Sequence, residues 1–134
     1  MATDIEARGA RLARLWLKIA VTYLLVGATA GVFMGATEQF QFAPVHAHIN
    51  LLGWVSMALA GLIYHFYPRA GGSKLGVAHF WMHNLVLPPS MVLLAVMLGG
   101  RPELEPVVGI FSVLLLLTLV VFATNIYMNV KPSN

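Results

Sequence analysis

Four apolar runs, 15–34, 46–67, 77–98 and 107–128, dominate this 134-residue chain. Each approaches the roughly 20 apolar residues needed to cross a bilayer. In hydrocarbon the backbone must satisfy its own hydrogen bonds, so only helices or a closed barrel span it. Barrel strands would alternate polar and apolar side chains, and these runs do not. They are read as four transmembrane helices. The connectors 35–45, 68–76 and 99–106 are short, which predicts an all-α, up-down four-helix membrane bundle forming a single domain over residues 1–134. Hydrophobic residues make up 59% of the chain, above the roughly 45–50% of soluble domains, in line with that reading.

Charge sets the expected orientation. Under this threading Arg8, Arg11, Arg14, Lys18, Arg69, Lys74 and Lys131 fall on one side, which the positive-inside rule makes cytoplasmic, with both termini. Glu38, Glu103, Glu105 and a single base, Arg101, fall on the other. The net charge of +3 is thus a topology signal, and no nucleic-acid partner is expected. An alternative makes Arg8 to Lys18 and the following run a signal peptide cleaved at Ala28-Thr29-Ala30; the run outlasts the usual 7–15-residue signal core. That run also carries Gly27, Gly31 and Gly35 at four-residue spacing, a stripe suited to close contact with another helix or a flat ligand.

With no cysteine, disulfides, thiolate metal sites and covalent haem attachment are excluded, and any chemistry falls to histidines and carboxylates. An ionisable side chain in a membrane helix costs a few kcal/mol unless paired, so five histidines in such segments call for explanation. His48 and His65 are roughly 25 Å apart along one helix, which separates two candidate centres. His46 and His48 differ by about 200° around a helix and so face different pockets; one small ion would not take both. Neutral imidazole there suits haem iron, with Leu51, Leu52, Val55 and Leu59 to cover a porphyrin face; solvated interfacial histidines are the plainer alternative. Toward the other end, His65 closes the second helix while His79 and His83 share a face of the third at i, i+4, a set that could converge on zinc, copper or iron. Ser56, Asn84, Ser90, Thr118 and Asn125 are expected to hydrogen-bond between helices, and Pro88-Pro89 to kink the third helix.

The stretch HAHINLLGWVSMALAGLIYHFYP followed by SKLGVAHFWMHNLVLPPS resembles the tenth and eleventh helices of subunit I of the haem-copper oxidase superfamily. In that family an H-x-H pair opens one helix and a K/R-L-G-x-x-H-F-W segment starts the next. HINLL is also similar to the HTNLL that opens the second helix of bacterial nitric oxide reductases. The likeness covers about residues 44–101. It implies a non-covalent haem b, with His48 matching the low-spin haem ligand, His46 the high-spin haem ligand and Arg101 an arginine that pairs with haem propionates. His79 matches a histidine that does not bind iron in the family. Nothing matches the family's copper-binding segment or its His-His pair, and no Lys, Glu or Asp lies deep in the runs, so copper is not expected. Subunit I comprises three quasi-equivalent four-helix arcs, which implies that a four-helix relative closes the ring as a homotrimer, with a haem-sharing dimer as the alternative. The function implied is electron transfer, or the binding or reduction of O2 or NO, in a bacterial-type inner membrane, supplied by a redox partner protein or quinol. The rival expectations are a non-catalytic partner subunit of a larger oxidase or reductase, and a histidine-based metal protein.

Overall fold

The computed structural model describes residues 3–131. Helix α1 (Asp4–Thr37) starts well ahead of the first apolar run, at a capping box: the Thr3 hydroxyl accepts from the Glu6 amide at 3.3 Å, and the Glu6 carboxylate accepts from the Thr3 amide at 2.9 Å. Its 34 residues make a rod about 51 Å long, so its charged first turns reach beyond a hydrocarbon layer of roughly 30 Å. The helix ends where Glu38 takes the left-handed conformation, at φ 57°.

A 3-10 turn (Phe40–Phe42) leads into α2 (Ala43–His48), a π-helical segment (Ile49–Val55) and α3 (Ser56–Phe66), which together make the second long helix. A short α4 (Pro68–Gly72) and the Ser73 N-cap, whose hydroxyl accepts from the Gly76 amide, start α5 (Lys74–Leu98). Pro88 and Pro89 both lie inside α5, where Ser90 donates to the Val86 carbonyl at 2.6 Å. A second 3-10 turn (Pro102–Leu104) precedes α6 (Glu105–Asn129). Four helices, Asp4–Thr37, Phe40–Phe66, Lys74–Leu98 and Pro102–Asn129, are long and apolar enough to cross a membrane. Among the described residues there is no strand. Large apolar side chains such as Leu25, Val32, Leu85, Ile110 and Leu116 are exposed, the pattern of helices that are hydrophobic all round and meet lipid.

The helices pack in two antiparallel pairs. Along α1 and the second long helix, Gly31 faces His46, Gly27 faces Asn50, Tyr23 faces Gly53, and Trp16 and Leu17 face Gly61. Along α5 and α6, Ser73 meets Asn125 and His83 meets Thr118. At the basic end α1 also crosses α4 at backbone distance. A Cβ on Gly9 would overlap the Pro68 carbonyl, and one on Gly72 the Ile5 carbonyl, so only glycine permits the crossing. Arg8 clamps it, donating from Nε and Nη2 to the Gly72 carbonyl at 3.0 and 2.6 Å. Trp16, Met57, Tyr64 and Leu87 fill the centre together with His83, Thr118 and Asn125. Apolar burial gives helices little reason to associate in lipid, which leaves packing and interhelical hydrogen bonds to hold them.

Candidate functional site

Two histidine centres lie at different heights in the helix pairs, and their hydrogen bonds differ in kind. At the inner one, His79 and His83 are buried on one face of α5, 5.6 Å apart by ring centroids. Asn125 donates to the Tyr64 hydroxyl at 3.1 Å and to the Ala70 carbonyl at 3.1 Å; Tyr64 is 3.0 Å from His79 Nδ1. Asn125 thus donates to the Tyr64 oxygen, and Tyr64 shares its other hydrogen bond with His79 Nδ1. His83 uses both nitrogens: Nε2 donates to the Leu52 carbonyl at 3.0 Å, and Nδ1 meets Thr118 Oγ1 at 3.2 Å. The His79 ring lies between Trp16 at 4.7 Å and Phe122, stacked at 4.7 Å. Trp16 Nε1 is buried there without a hydrogen-bond partner among the described residues.

His65 does not join this pair. It is exposed at the end of α3, with its ring 5.5 Å from Phe66. Among the described residues no three His, Cys, Asp or Glu side chains are placed to hold a metal ion. The neighbours explain this: on α3 it is Tyr64 that turns inward to His79, and His65, about 100° further round the helix, falls on the exposed side.

At the other centre, α2 is α-helical through His46 and His48, so the two side chains diverge. His46 is half-buried against α1: its Nδ1 is 2.9 Å from the Gly27 carbonyl, and a Cβ on Gly31 would come within 2.8 Å of His46 Cε1. Asn50 packs beside it over Gly27 and donates to the His46 carbonyl at 2.8 Å. The Gly27 and Gly31 positions are thus taken up by the chain's own second long helix, while Gly35 faces open space.

His48 is exposed and points the other way. Its Nδ1–H donates to the Pro44 carbonyl at 2.7 Å, since a carbonyl can only accept. Among the described residues Nε2 meets no partner and keeps its lone pair, the tautomer a metal-ligating imidazole requires. His48 lines a cleft of about 310 Å³ whose other walls include Leu52, Met91 and Leu94 together with Val108, Leu115, Leu116 and Leu119 of α6. The cleft is apolar apart from His48, Ser90 and Ser112. Its volume is at the lower end of the roughly 300–1,000 Å³ of small-molecule sites, enough for one edge of a large planar ligand. Arg101 belongs to the connector between α5 and α6, whose facing residues Leu94 and Val108 wall this cleft. The guanidinium is exposed and forms an ion pair with Glu103.

Between the two centres runs the π segment, directly after His48. Its i→i+5 bonding adds a residue per turn, and Ser56 Oγ donates to the Leu51 carbonyl at 2.8 Å within it. Such segments are rare and concentrate at functional sites. Leu52 joins the centres, with its carbonyl on His83 and its side chain in the His48 cleft. Trp16, Tyr64 and Met91 were not singled out by sequence reasoning. No sequence signal set them apart from the other apolar residues of the runs.

Compared with family models, with curated proteins and with solved structures, the chain matches none.

Proposed function

We propose that this chain is a haem b-binding membrane protein, related to subunit I of the haem-copper oxidases, with His48 as axial ligand. The observation that carries the reading is the state of His48: Nδ1 anchored on the Pro44 carbonyl and Nε2 free, over an apolar cleft. The donor set fits the group, since neutral imidazole binds haem iron and apolar walls of Leu and Met suit a porphyrin face. Arg101 is the residue for a propionate, through the bidentate fork that guanidinium offers a carboxylate. His46 is the second candidate ligand; its Nδ1 is on the Gly27 carbonyl, and among the described residues Nε2 has no protein partner. When bound, haem would supply electron transfer, or the binding or reduction of a diatomic gas if one iron position stays open.

The cleft takes only part of a macrocycle, which favours a neighbouring copy covering the rest, as a homotrimer like the arcs of subunit I or as a dimer. In the membrane the four helices run up and down, with the basic end and both termini on the cytoplasmic side of a bacterial-type inner membrane. The deciding measurement is the reduced-minus-oxidised absorption spectrum of protein purified in mild detergent. Haem b bands that vanish in His48→Ala and persist in His79→Ala support the reading. A haem-free protein whose spectrum is unchanged by added haem overturns it, and co-purification with a larger oxidase in that case points to a partner subunit.

A further inference from the structure

A second groove lies at the basic end, between α1 and α5, and belongs to neither histidine centre. It encloses about 490 Å³ and is walled by Leu15 and Ile19 of α1 and by Val77 and Trp81 of α5, with Arg8 and Arg11 at its mouth. Helical spacing produces this arrangement: Arg11, Leu15 and Ile19 follow at i, i+4 and i+8, and Val77 and Trp81 at i, i+4, so charge sits at one end and apolar surface runs down from it. Arg11 to Ile19 spans about 12 Å, the depth of a headgroup and the upper part of an acyl chain.

The charge at the mouth is not balanced by the described residues. Among them Arg8, Arg11, Arg14, Lys18, Arg69, Lys74 and Lys131 share this end with Asp4 and Glu6, and Glu6 is engaged with Arg69 at 3.6 Å. Arg11 makes no ion pair among the described residues. Arg8 is held in place by the Gly72 carbonyl, which occupies two of its five N–H donors and neutralises no charge. A preset guanidinium with free N–H groups, beside a second exposed one, is a receptor for phosphate oxygens. Trp81 is 56% exposed on the groove wall, where an indole can lie against an acyl chain and reach the headgroup level with its N–H.

We infer that this groove is a specific site for an anionic phospholipid, with the headgroup phosphate on Arg8 and Arg11 and one acyl chain between α1 and α5. The site is independent of haem binding. Native mass spectrometry of the full-length, delipidated protein tests it, with dioleoylphosphatidylglycerol and dioleoylphosphatidylcholine added in competition. The expected result is preferential retention of phosphatidylglycerol, lowered about tenfold in Arg11→Gln, as for loss of one charge-assisted contact. Leu15→Trp, which fills the groove and keeps every charge, is expected to lower it as well. Lys131→Gln, which removes a basic residue outside the groove that makes no ion pair among the described residues, is expected to leave retention within about twofold. Equal retention of the two lipids overturns the inference. So does an effect of Lys131→Gln as large as that of Arg11→Gln, full retention in Leu15→Trp, or a crosslink showing the groove filled by a second copy of the chain.

Discussion

The inner pair, His79 and His83, and the outer pair, His46 and His48, are the same side chain put to opposite uses. Of the inner pair, His83 has partners at both nitrogens, Thr118 and the Leu52 carbonyl, while His79 has Tyr64 at Nδ1 and a ring enclosed between Trp16 and Phe122. In the outer pair each ring is held at Nδ1 on a backbone carbonyl, and among the described residues no protein partner meets Nε2. Buried histidines bonded across helices and packed among aromatic rings hold helices together where apolar burial cannot. A histidine anchored at one nitrogen, with the other open beside a cleft, is arranged to bind something. A membrane histidine is therefore informative through what lies beside its second nitrogen as well as through its depth.

On the haem reading, His48→Ala abolishes the low-spin bands outright while the folded fraction in detergent barely changes; retained bands would place the iron elsewhere. His83→Ala does the reverse, lowering stability by about 3 kcal/mol in a denaturing-detergent titration through the cavity and the orphaned Leu52 carbonyl. If His83→Ala proved neutral, the inner pair would lose its structural role. Gly27→Val forces Asn50, and with it His46, off α1 and is expected to cost about 1–3 kcal/mol, read by the same titration. Tyr64→Phe leaves His79 Nδ1 without its hydrogen-bond partner and is expected to cost about 1–2 kcal/mol, with the absorption spectrum unaltered. The smallest change is expected of Arg101→Gln, a loss of roughly threefold in haem affinity by titration, because an exposed guanidinium already paired with Glu103 contributes little.

Much of the architecture was legible in the sequence, with informative exceptions. The apolar runs marked four long helices, but α1 begins at Asp4 because a charged helical extension beyond the lipid-length run adds nothing to an apolar count. Its start was written in the T-x-x-E of Thr3 to Glu6, a capping box that apolar counting passes over. Of the five polar residues expected to bond between helices, Thr118 and Asn125 do so. Ser56, Asn84 and Ser90 instead donate to carbonyls of their own helices, at Leu51, Phe80 and Val86. Short polar side chains reach a nearby carbonyl in the preceding turn at no cost in packing, so their interhelical role depends on what lies opposite.

What the sequence determined by itself is local: four helices of membrane length, and the divergence of His46 from His48, which follows from helical phase over two residues. Tertiary structure alone decided that His65 faces out while Tyr64 faces His79, and that the glycine stripe receives His46 and Asn50. It also decided which imidazole nitrogen stays free. The physical reason is that helical phase is set by the residue's own backbone, whereas hydrogen-bond satisfaction is set by the neighbour, and the identity of that neighbour is a property of the packed helices.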